Sequence, residues 1–163
     1  MGVSESATHH LELTPPAGWQ VVAPHDVGAD DLALQLVKDN QPSGFTASIS
    51  VALRAGEPPD VARIGSDAVR RLDATERDVR VHRREAIGSG RTEGMAQEVR
   101  FLSATPRGDV EALQLLLVLV IPGARDPDAV IVWVATFTAA ARGSDALLTD
   151  FQSLVSSLTT PTR

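Results

Sequence analysis

Apolar and polar positions alternate along much of this chain with the two-residue period of strands, and twice the period changes to that of a helix. Phe45, Ala47, Ile49, Val51 and Leu53 alternate with Thr46, Ser48 and Ser50, as in a strand with one buried face. A one-residue slip would carry the hydroxyls into the core and Phe45 into water, so the pattern also sets the register. Leu32, Leu34 and Leu36 alternate with Ala33 and Gln35 in the same way. Short strands are expected at His10 to Leu13 and at Gln20 to Ala23. Between them, Pro15 and Pro16 lack the amide donors a helix needs and mark a turn. Asp39 to Gly44 is dense in turn formers.

At Glu57-Pro58-Pro59-Asp60 the strand breaks, and the prolines and acids suit the first turn of a helix. Val61, Ile64, Ala68 and Leu72 then follow a 3.6-residue period to about Thr75, with Arg63, Asp67, Arg70 and Arg71 on the other face. Four strands are predicted next: Asp78 to Ile87, Thr92 to Ala104, Val110 to Ile121 and Ala129 to Ala139. Turns at Gly88 to Arg91, Pro106 to Asp109 and Pro122 to Asp128 separate them. The last two strands are almost wholly apolar, which predicts central strands covered on both faces. Ser144 is placed to cap a closing helix, whose stripe is Leu147, Leu148, Phe151, Leu154, Val155 and Leu158.

Consecutive strands joined by short turns run antiparallel, and helices that do not alternate with strands imply an α+β fold. The expectation is a central antiparallel sheet of about six strands with helices packed on its faces. It forms a single domain over residues 10–160, after a flexible lead at residues 1–9. The full length of 163 residues fits one core.

Composition narrows the chemistry. Fifteen Lys and Arg against 21 Asp and Glu give a net charge of -6, which argues against general affinity for nucleic acid backbones. Cysteine is absent, which removes disulfides, thiolate metal sites, cysteine nucleophiles and a lipidated cysteine. Lys38 is the single lysine. The polar N-terminus lacks the pattern of a secretory signal, and the longest apolar run, Leu115 to Ile121 with Leu113 just before it, is far short of the about 20 residues of a membrane helix. A cytoplasmic location with no integral membrane segment is expected. An exported or envelope-associated location is the alternative if a signal has been trimmed.

No reaction centre is legible. Gly88-Ser89-Gly90-Arg91-Thr92-Glu93-Gly94 carries Glu93 where a phosphate loop of the G-x-G-x-x-G kind needs glycine, so it reads as a hairpin turn. His9, His10, His25 and His82 show no metal-ligand spacing, and the serines lack a nucleophile elbow. Glu57 and Asp60 are explained by the helix start. Neither catalysis, a metal nor a cofactor is expected. Arg63, Arg70, Arg71, Arg77, Arg80, Arg83 and Arg84 form a basic stretch, read as a solvated face with local ion pairs or as a surface for an acidic partner or lipid headgroups. Asp26, Asp30 and Asp31 form an acidic segment, either a solvated loop or a docking patch for a basic partner. Trp133 reads as core, and Trp19 as core or as a pocket-lining contact. Asp26, Asp30, Asp31 and Trp19 are the candidate partner-binding residues.

The element order resembles the PsbP-like superfamily, which takes in the Ran-binding nuclear import factor, DcrB-like proteins and lipoproteins of the LpqN and LpqT type. Pro16-Ala17-Gly18-Trp19 resembles its early P-x-x-W turn, and Gly94-Met95-Ala96 its G-x-A step into a long strand. Phe45 to Leu53, Asp60 to Leu72 and the closing helix with Phe151 fall in the same order. The resemblance implies a helix-flanked antiparallel sheet and a non-catalytic role in binding other proteins. Unlike the lipoprotein members, this sequence shows no signal or lipidated cysteine. The expected function is a protein-binding module, adaptor or chaperone-like. The alternative is a small-molecule or lipid carrier with an apolar cleft between sheet and helix.

Overall fold

The computed structural model describes residues 15–22, 32–39, 41, 43–88, 93–123 and 128–159. The expected lead at Met1 to His9, the strand at His10 to Leu13 and the acidic segment at Asp26 to Asp31 lie outside the described residues, as do residues 89–92 and 124–127.

Among the described residues, seven strands form one antiparallel sheet: β1 (Gln20–Val22), β2 (Leu32–Lys38), β3 (Ala47–Gly56), β4 (Arg77–Ile87), β5 (Glu93–Thr105), β6 (Gly108–Pro122) and β7 (Val130–Ala140). Helix α1 (Val61–Thr75) follows β3, and α2 (Ser144–Thr159) follows β7. The α+β class and the antiparallel sheet are as expected. The count is one above the expected six or so, because the three residues of β1 pair with Val37, Leu36 and Gln35 of β2 and extend the sheet edge.

In space the order is β1-β2-β3-β7-β6-β5-β4. Helix α1 therefore carries the chain from β3 to the far edge, and the β4-to-β7 meander returns to close against β3. Register assigns each side chain to a face. Ile49 pairs with Phe137, and Phe137 with Leu115. These residues join Leu36, Ala47, Val51, Leu113, Ala135 and Ala139 beneath Leu147, Phe151 and Leu154 of α2. On the opposite face, Met95, Leu116, Val118 and Val132 pack against Ala68 of α1, with Val61 and Ile64 beside it. Strands β6 and β7 thus supply apolar side chains to both layers, as their unbroken apolar runs predicted.

The helices begin where local chemistry directs. Asp60 caps α1, its side chain accepting from the backbone N–H of Arg63 at 3.2 Å. Pro58 and Pro59 precede that cap instead of filling the first turn. Ser144 is already helical, and its hydroxyl donates to the Ala141 carbonyl at 2.9 Å instead of accepting an amide as a cap would. Helix α1 is tied to the sheet by Gln97, which is 2% exposed: its amide donates to the Gly65 carbonyl at 3.1 Å and its oxygen accepts from Arg84 at 2.7 Å.

Gly94 explains the small residue that opens β5. A Cβ there would stand 2.4 Å from the Val118 carbonyl oxygen, which is backbone and cannot swing away. Gly94→Ala is expected to lower unfolding free energy by about 1–3 kcal/mol through this overpacking. Phe151→Ala, which opens a hole beneath α2, is expected to cost about 3–5 kcal/mol. Urea denaturation checks both: the midpoint should fall while the slope stays unchanged.

Candidate functional site

Two helices do not cover seven strands. Helix α2 lies over β2, β3, β7 and part of β6, and beyond it the same face of β4 and β5 stays open. At that margin runs a groove of about 440 Å³. Leu115 and Leu117 of β6 and Ala96 of β5 contribute to its floor, while Leu148, Phe151 and Gln152 of α2 form its wall. His82, Arg83, Glu85 and Glu98 make the polar side. Their placement follows from alternation in β5: Met95, Gln97 and Val99 turn toward the α1 face, so Ala96, Glu98 and Arg100 turn toward the groove face.

The polar side is a set of close polar and charged contacts. His82 Nε2 lies 3.5 Å from Glu98 Oε2, and Arg100 Nε lies 3.6 Å from the same oxygen. Arg100 Nη1 is 3.9 Å from Glu111, and Arg83 is 3.2 Å from Glu85. Surface pairs of this kind are worth about 0–1 kcal/mol each, so this side is easily rearranged. Arg100 Nε is buried yet makes no hydrogen bond. The site combines an apolar strip fixed on strands and a helix with adjustable charges. Among the described residues no three His, Asp or Glu side chains gather as a metal site would, and no helix is long and apolar enough to cross a membrane.

Of the four candidate partner-binding residues, Asp26, Asp30 and Asp31 lie outside the described residues. Trp19 is 6% exposed and belongs to the α2-side core. The Pro16-to-Trp19 turn places it there: the Trp19 amide donates to the Pro16 carbonyl at 3.2 Å, and Gly18 takes φ +87°, which suits glycine. The indole N–H then donates to Asp150 Oδ2 of α2 at 2.9 Å, and Lys38 Nζ lies 6.0 Å from the ring centroid. Trp133 is half-buried and packs against the same core.

The basic stretch is spread over two elements and is largely paired. Asp67 takes Arg70 at 2.6 Å and Arg63 at 4.0 Å. Arg77 pairs with Asp109, whose hydrogen bond and charge raise the guanidinium pKa further above its usual value.

No family model matches the sequence, and no curated protein matches it. Solved structures do. LpqN from Mycobacterium tuberculosis, described as involved in cell envelope biogenesis, superposes with a TM-score of 0.53 at 15% identity, over 88% of this chain and 78% of LpqN. The fold is of the LpqN type. PA94 from Pseudomonas aeruginosa, a protein of unknown function, gives a TM-score of 0.50 at 12% identity, over 89% of this chain and 98% of PA94. Cyanobacterial PsbP (CyanoP) from Synechocystis sp. PCC 6803 gives 0.49 at 14% identity, over 87% and 81%. At such identities the likeness is one of fold alone, and LpqN and PA94 carry it. The LpqN-type fold that the sequence resemblance implied is met at that level.

Sequence reasoning named an apolar cleft between sheet and helix as an alternative but did not find the residues of this groove. Its one signal was the polar phase of β5, where Glu98 and Arg100 alternate with buried Val99 and Phe101. That phase marks an uncovered face but not its neighbours.

The Trp19–Asp150 bond ties the start of the described chain to α2. Trp19→Phe and Asp150→Ala are each expected to destabilise by about 1–3 kcal/mol. In a double-mutant cycle the two losses should sum to more than the double variant loses.

Proposed function

We propose that this protein is a non-enzymatic binding module, adaptor or chaperone-like, which receives an apolar segment of another protein along the groove beside α2. One observation carries the reading: Leu115, Leu117, Leu148 and Phe151 form an apolar strip on an open margin, bounded by charged side chains of both signs. Hydrophobic contact supplies affinity in such a site, and the charges select among partners. The strip lies on strands and a helix, so it is preformed and little order need be lost on binding.

The carrier reading is the alternative, favoured by the groove volume of about 440 Å³, which falls among the roughly 300–1,000 Å³ of small-molecule pockets. Its openness along the sheet margin supports the protein segment over an engulfed lipid. Asp26, Asp30 and Asp31 stay in the proposal as steering charges for a basic partner. A cytoplasmic location belongs to it as well, with the envelope as the alternative.

Photo-crosslinking from within cells tests the reading. A photoreactive side chain replaces Gln152, exposed on the groove wall, or Ala62, exposed on α1 across the sheet. A discrete protein adduct at position 152, several-fold weaker at position 62, is the expected result. A lipid or metabolite adduct at position 152 would establish the carrier instead. Equal labelling at both positions, or none, would overturn a binding role for the groove.

A further inference from the structure

The two edges of the sheet differ. Strand β1 is three residues long, whereas β4 is eleven and, among the described residues, pairs only with β5. Alternate residues of an edge strand turn their N–H and C=O groups outward, so β4 presents a row of backbone donors and acceptors with no neighbouring strand. These groups are accessible: every residue of β4 is exposed except Val79 and Ile87, which are half-buried.

Proteins protect long edges with prolines, bulges or brevity. Strand β4 has no proline or glycine. Its register with β5 shifts between Arg77 and Arg80 and again between Val81 and Arg83, so bulges bend its first half. The second half is regular: Arg83 to Ile87 pair one by one with Glu98 to Gly94. That regular stretch matches the usual strand length of roughly 5–6 residues, enough to hold another strand.

Side chains say which strand fits. Strand β4 carries Arg77, Arg80, Arg83 and Arg84 against Asp78 and Glu85, a positive edge on a chain whose net charge is -6. The Arg83–Glu85 pair at 3.2 Å is exposed, and exposed pairs exchange partners at little cost. Like charge sets one β4 against another, and opposite charge draws an acidic strand. Val81 is 45% exposed. It stands opposite Val99, on the face toward α1, where a β-branched side chain of an added strand would cover it.

We propose that β4 accepts an extended, acidic segment of another protein as a further strand of the sheet. Its acidic side chains lie beside Arg80, Arg83 and Arg84, and a β-branched side chain lies beside Val81. In this mode of recognition the main chain supplies the hold and the side chains the choice. Arg83 and Glu85 also border the α2 groove, but the inference does not rest on that groove being filled.

Fluorescence anisotropy on the whole chain tests it. The probe is a labelled peptide of alternating Glu and Val, about eight residues long, and its control has Lys for Glu. The acidic peptide is expected to bind with a Kd of about 100 µM or tighter, and the basic one at least about tenfold more weakly. Arg80→Glu combined with Arg83→Glu should weaken the acidic peptide by about tenfold or more. Arg63→Glu combined with Arg70→Glu, the same charge change on α1, should alter it by less than about twofold. Methylating alternate peptide nitrogens in one phase should abolish binding, and in the other phase should leave it within about threefold. Circular dichroism verifies that each variant folds. Absence of binding at about 1 mM acidic peptide, on the order of ten times the expected Kd, overturns the proposal. So does an equal loss in the two charge-reversed variants, or both methylated peptides binding as the parent does. A dimer in sedimentation that the Arg80 and Arg83 reversal abolishes would give the edge to a second copy and overturn the acidic partner.

Discussion

Everything in this structure hangs on the register of β7 between β3 and β6. Phe137 is 0% exposed and stacks on Phe151 of α2 with ring centroids 5.5 Å apart. Val132, in the opposite phase of the same strand, packs toward α1 with Leu116 and Val118 of β6. A slip of one residue would bring Thr136 and Thr138 beneath α2 and push Phe137 onto the hydroxyl face. Both layers would lose their centre together, because the same two strands serve both.

The open surfaces follow from that arrangement. Each helix covers one diagonal half of the sheet, α2 over the β2–β3–β7 side and α1 toward β4 and β5. The uncovered half of each face must meet water, and its side chains are polar: Glu98 and Arg100 on one, Ser48, Ser50, Thr136 and Thr138 on the other. The margin of each helix then joins an apolar strip to a polar field. Beside α2 this makes the groove lined by Leu115, Leu117, Leu148 and Phe151. Beside α1 it leaves a shallow cleft lined by Ser50, Gln114 and Thr136. Both are built on regular elements.

Much of the fold was legible because its signals are local. The turns at Pro106 to Gly108 and at Pro122 bound β6 within a residue or two of the expected limits, and Asp60 marks the start of α1. The apolar runs of β6 and β7 told of cover on both faces before any partner was known. What escaped the sequence is set by distance along the chain. The Trp19–Asp150 bond joins residues 131 positions apart, and neither has a local feature that names the other. The residues of the groove escaped for the same reason: Ala96 and Leu117 are register partners, but Phe151 reaches them only because α2 follows a β7 that lies beside β6. The small residue at Gly94 was visible, but the Val118 carbonyl that demands it was not.

Hydrogen exchange under increasing denaturant tests most directly whether β6 and β7 hold both layers. The amides of Leu115 to Val118 and Val132 to Phe137 are expected to exchange only through global unfolding, at one common free energy, with those of α1 and α2 opening at or below it. Helix α2 remaining protected while the β6–β7 amides exchange freely would contradict the account.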